Sequence, residues 1–251
     1  MNAQFWVVQA FNGVSYGALL FLVGSGLSLI FGVMRIVNLS HGAYFLWGGY
    51  IALSVIAATG SWALSLPLAA LAVAAIGIAM ERLFLRSEGF EHVRNGVIGA
   101  SVGILVALAI TARWGQFIGS GSTQVALLAV GAAGHLRVID GGADRGVGID
   151  TNRVSMFIFA LGAFLAALGG VIGGAFLGIY PGLDFEMLPL AFAVVIIGGM
   201  GSLGGAAIGA LAVGLADNFG KALFPEISYF TLYAPMVLIL AVKPTGLFGR
   251  E

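Results

Sequence analysis

Three polar side chains interrupt an apolar stretch early in the chain: Asn38, Ser40 and His41, close behind Arg35. Their chemistry is hydrogen bonding and, for His41, proton transfer near neutral pH. An ionisable group among apolar helices is a functional candidate, as a proton carrier or a substrate contact. A plainer role fits the same residues. Asn38 or Ser40 caps the helix that follows, and His41 bonds a neighbouring helix, the favoured reading for a lone histidine. The second group of candidates is backbone. The stretch IIGGMGSLGGAAIG, residues 196–209, holds six glycines and one serine, all poor helix formers. Gly198, Gly199, Gly201 and Ser202 are where a helix would break and free main-chain groups for a ligand.

Enzymatic constellations are missing from the sequence. It contains no HExxH, no GxSxG in a strand–turn–helix context and no phosphate-binding GxxxxGK[ST]. His41, His92 and His135 stand far apart, without metal-ligand spacing. With no cysteine, disulfides, thiolate metal sites and cysteine nucleophiles are excluded. Asp and Glu fall almost wholly in loops, so no buried carboxylate pair suggests a proton or sodium relay. The expectation is a protein that is not an enzyme and carries no cofactor. Zero net charge and the lack of a basic stripe argue against nucleic acid as a partner.

The elements that must position these residues are apolar throughout. Hydrophobic residues make up 60% of the chain and charged residues 9%, with mean hydropathy +1.05. A soluble domain carries about 25% charged residues, so the missing solvent is lipid. A helix needs about 20 apolar residues to cross the hydrocarbon. Runs of suitable character cover residues 5–34, 39–59, 62–80, 96–111, 154–179, 188–216 and 228–242, with a shorter one at 124–136. The fold class expected is all-α: a polytopic integral membrane protein, one transmembrane domain over residues 1–251, with seven to eight membrane elements. The N-terminus lacks the basic region of a secretory signal, so the first run is expected to stay in the mature protein.

Lys and Arg in short loops set orientation. Arg82, Arg86 and Arg94, then Arg137, Arg145 and Arg153, then Lys243 and Arg250 place three segments in the cytoplasm. Residues 180–187 carry Asp184 and Glu186 without a cation, which places that loop outside. The N-terminus is then outside and the C-terminus inside. A single crossing by residues 188–216 contradicts this parity. The conflict disappears if that run dips in and returns, or crosses twice as two short pieces. The sequence therefore predicts a discontinuous element at residues 198–205. Broken backbone at membrane depth is tolerated where protein or a water-filled cavity surrounds it, so this element is expected to line a polar path.

Glycine spacing predicts close helix contacts. Gly162, Ala166, Gly170, Gly174 and Gly178 recur every fourth residue, with Gly169 and Gly173 beside them. Shorter ridges are Gly13 with Gly17, Gly99 with Gly103, and Gly201 with Gly205 and Gly209. Such small-xxx-small faces let backbones approach.

Four blocks together resemble the membrane-spanning permeases of ABC importers for branched-chain amino acids, the high-affinity leucine/isoleucine/valine uptake family. They are Asn12-Gly13 through GLSLIFGVMRIVNLSHG, the Glu81-Arg82-Leu83 exit of the third run, residues 148–154 leading into FALGAFLAALGGVIGG, and VVIIGGMGSLGGAAIGA with the closing KPTGLFG. The resemblance implies inward transport of an amino acid across a bacterial inner membrane by alternating access; related permeases carry urea or short amides. It implies as partners a second, homologous permease, two cytoplasmic ATP-binding subunits and a periplasmic substrate-binding protein. It also implies that the cytoplasmic loop before the sixth run docks on the ATPase, through Ala143, Arg145, Gly148, Ile149 and Asp150. Of the family pattern EAAxxxG, Ala143 and Gly148 are retained. Leu190 stands where the family often has lysine, and residues 113–136 are shorter than is usual.

Overall fold

The computed structural model describes residues 2–34, 38, 40–82 and 151–249. The expected spans at 96–111 and 124–136 lie outside the described residues, as does the docking loop with Ala143, Arg145, Gly148, Ile149 and Asp150. Among the described residues the regular elements are all helical: α1 (Ala3–Met34), α2 (His41–Thr59), α3 (Trp62–Met80), α4 (Thr151–Leu177), α5 (Leu183–Gly198), α6 (Leu203–Leu223) and α7 (Ser228–Val242). A 3-10 turn, Pro225–Ile227, joins the last two. Five of these helices, α1, α2, α3, α4 and α6, are long and apolar enough to cross a membrane.

The chain turns where the sequence supplies a device for turning. Gly60, at φ 69°, ends α2 with its N–H donated to the Ile56 carbonyl. Ser61 then caps α3 by accepting the Leu64 N–H at 3.3 Å. The run 188–216 is two helices and not one. Gly199 (φ 94°) and Gly201 (φ 84°) adopt the left-handed backbone that glycine permits, and Ser202 caps α6 by accepting the Gly205 N–H at 3.0 Å. α5 and α6 fold back on each other as an antiparallel hairpin, Gly198 against Gly205 and Val194 against Gly209. The sequence reading needs correction at the start of this unit. Helix begins at Leu183, so Asp184 and Glu186 lie in its first turn rather than in a loop.

Glycine contacts fix the packing. α1 lies at the centre, with Gly13 on Leu215 and Gly17 on Ala210 of α6, Gly24 on Val194 of α5, and Gly26 on Gly162 of α4. α2 crosses α4 so closely that a methyl group on Gly170 would overlap the Phe45 carbonyl, and one on Gly48 the Ala167 main chain. α3 rests on α4 through Gly77 and Ala163. Lipid is as apolar as these side chains, so such contacts hold helices together by packing rather than by escape from water. Leu20, Val23, Leu27, Phe45, Val194 and Ile197 fill the core around α1. Leu64, Leu68 and Leu71 of α3 and Val237, Leu238 and Val242 of α7 point outward.

One end of the bundle gathers several features that the sequence placed together. Gly32, near the end of α1, touches Gly201 of the hairpin turn. The Arg82 side chain reaches Met156 near the start of α4. The C-terminal tail also returns here: Leu247 N–H donates to the Ile197 carbonyl at 2.9 Å and Phe248 N–H to the Gly198 carbonyl at 3.0 Å. The last carbonyls of a helix lack partners within it, and the tail supplies them for α5. We call this the tail end.

Candidate functional site

The start of α2 is set deep in the bundle. His41 Nε2 donates to the Val23 carbonyl at 2.8 Å. Val23 lies eleven residues before Met34, which is about 16 Å along α1. The chain therefore leaves α1 at the tail end and comes back inward before α2 begins. Asn38 Oδ1 accepts the Ser40 N–H at 3.0 Å, and the Asn38 carbonyl accepts the His41 N–H at 3.2 Å. Asn38 thus builds the turn into α2, whereas the Ser40 side chain makes no cap bond. His41 adopts the plain role expected of a lone histidine, a bond to a neighbouring helix, through one ring nitrogen. Asn38, Ser40 and His41 are all buried. The His41 ring also meets Tyr44 edge-on, with centroids 6.4 Å apart, and Tyr44 meets Phe159 in the same way.

α5 also starts inside the bundle. Its 16 residues cover about 24 Å, less than the roughly 30 Å of a hydrocarbon core. Between α4 and α5 the chain folds back, with Ile179 resting on Gly174 and Gly49. The first turns of α5 and α2 then meet main chain to main chain: a methyl on Gly42 would stand 2.6 Å from the Asp184 carbonyl oxygen. This brings Asp184 to the group that begins α2. Sequence reasoning missed Asp184 because it counted the acids as loop residues. An acid two residues after Gly182 and followed by an apolar run is a helix-start pattern, and that was the signal available.

The structure does not bring Gly198, Gly199, Gly201 and Ser202 to this group. Their turn sits at the tail end, between Gly32 and the C-terminal tail, with Ser202 engaged as a cap. At the other end of α6, the buried Asp217 is paired with Lys221 at 2.7 Å, and Tyr180 donates to Glu186 at 2.8 Å. Among the described residues no group of three or more His, Cys, Asp or Glu could hold a metal ion.

Five apolar helices of spanning length are those of a polytopic membrane protein, and comparison with known sequences gives its class. The family model described as the branched-chain amino acid transport system permease component matches residues 9–133 and 140–240. The chain belongs to this family. The high-affinity branched-chain amino acid transport system permease protein LivH of Salmonella typhimurium is 29% identical, over all of this chain and 98% of that relative. LivH of Escherichia coli K12 matches with the same identity and coverage. The permease protein BraD of Pseudomonas aeruginosa is 26% identical, over 98% of this chain and 96% of its own length. No solved structure matches the chain significantly.

Proposed function

We propose that the chain is the permease subunit of an ABC importer that moves branched-chain or other amino acids inward across a bacterial cytoplasmic membrane. The observation that carries this reading is the match to branched-chain amino acid permeases along almost the whole chain. A second permease, two cytoplasmic ATP-binding subunits and a periplasmic binding protein complete the importer. The tail end faces the cytoplasm, which accords with Arg82, Arg153 and Lys243 lying there. Asn38, Ser40 and His41 line the translocation path, and the turn with Gly198, Gly199, Gly201 and Ser202 closes its cytoplasmic end. Asn38, Ser40 and His41 are at most 1% exposed, which is compatible with a closed state of that path. Closure of the ATPases moves the loop with Ala143, Arg145, Gly148, Ile149 and Asp150, and the helices rock on their glycine contacts to open it. The test is uptake of radiolabelled leucine into vesicles holding the whole importer. Uptake that requires ATP and the binding protein is expected. Uptake that survives ATP depletion overturns the reading in favour of a passive channel, and uptake of urea without any amino acid overturns the substrate class.

A further inference from the structure

The polar atoms where α2 and α5 begin are unevenly satisfied. His41 donates through Nε2, so Nδ1 of the neutral ring is a lone-pair acceptor. That atom has no hydrogen-bond partner among the described residues, and neither does Ser40 Oγ. The Asp184 main-chain carbonyl lies against Gly42 of the same turn; the residue is only 1% exposed, and neither carboxylate oxygen has a hydrogen-bond partner among the described residues. A buried carboxylate without a counter-charge is costly. Asp217 shows the ordinary solution in the same chain, a lysine one helical turn away. A third acceptor stands beside Asp184: Pro189 has no N–H to give the Phe185 carbonyl. Unpaired acceptors thus collect here together with unpaired donors, the Asn38 side-chain amide N–H group and the Tyr44 hydroxyl, next to the N-terminus of a helix whose Gly42 and Ala43 N–H groups have no acceptor within it.

A zwitterion satisfies both sets at once. Resting on the transport reading above, we propose that Asp184 and His41 form the ammonium-binding end of the amino-acid site. Asp184 supplies the counter-charge and His41 Nδ1 a second acceptor. The α-carboxylate of the same substrate takes the donors of the first α2 turn, the Gly42 and Ala43 N–H groups. Gly42 is glycine because the two first turns must touch.

The test uses the whole importer in vesicles and two readouts. Asp184→Asn keeps the shape and removes the charge. It lowers uptake of radiolabelled leucine below saturation by about thirtyfold or more, the scale for losing one partner of a buried charge pair. The second readout uses the absence of cysteine from the chain. In Ser40→Cys, a small methanethiosulfonate reagent labels the new thiol during ATP-driven turnover, when the path opens. Leucine slows that labelling, and the 2-hydroxy analogue, which lacks the ammonium, does not. Adding Asp184→Asn to Ser40→Cys abolishes protection by leucine. Wild-type uptake by Asp184→Asn, or equal protection by leucine and its hydroxy analogue, overturns the site and leaves the transport reading standing. Failure of Asp184→Asn to reach the membrane, with no protection by leucine in Ser40→Cys, assigns Asp184 to folding and overturns it too. Wild-type vesicles that take up no amino acid overturn the transport reading itself.

Discussion

Gly170→Ala puts one methyl group where α2 and α4 touch. The added carbon would overlap the Phe45 carbonyl, with the Gly49 main chain 3.1 Å away. Neither obstacle is the end of a flexible side chain, so the helices must separate. Overpacking a tight interior costs about 1–3 kcal/mol. The better helix propensity of alanine returns at most about 1 kcal/mol. Gly204→Ala is the matched control. It also lies in a helix, but nothing stands within 4 Å of the added carbon, so only the propensity gain of up to about 1 kcal/mol remains. The assay is reversible unfolding in mixed detergent micelles, followed by fluorescence. Trp47 packs beside this crossing and reports on it. The expected order is Gly204→Ala at or above wild type and Gly170→Ala about 1–2 kcal/mol below it. Equal stability of the two variants would refute the claim that the α2–α4 crossing depends on glycine at position 170.

Lys221→Met leaves the Asp217 side chain, 5% exposed, without its partner, while the lysine itself is 63% exposed. The expected loss is about 1–2 kcal/mol by the same unfolding assay, and Asp217→Asn added to it recovers most of that loss. Removing residues 245–251 breaks the two bonds from Leu247 and Phe248 to α5, at about 0.5–1.5 kcal/mol each. Faster proteolysis at the hairpin turn of the truncated protein is the measurement. Ser202→Ala removes the cap bond to the Gly205 N–H and lowers stability by about 1 kcal/mol, and substrate preference is unchanged in uptake assays.

Much of the fold was legible because lipid imposes it. Apolar runs of the right length had to be helices, and parity required that residues 188–216 be broken. The break came where Gly199 and Gly201 make it easy. Depth was not legible. Sequence gives the length of a span but not where a neighbour sends the chain back inward, so the hairpin turn was expected at mid-membrane and lies at the tail end. Asn38 and His41 were found because polar residues stand out against apolar runs. Asp184 was passed over because one acid near a Pro-Gly pair looks like a loop residue until packing buries it. What joins it to the others is the approach of Gly42, a long-range contact that no local pattern announces.

The bonds from Leu247 and Phe248 to Ile197 and Gly198 have a consequence for the order of synthesis. The hairpin is made first, and the residues that complete its turn are made some fifty positions later. A nascent permease therefore cannot finish this corner until Phe248 has been made. Any product cut short before Leu247 leaves the end of α5 unsatisfied, and that exposed corner is a mark by which a membrane protease can tell an incomplete copy from a finished one.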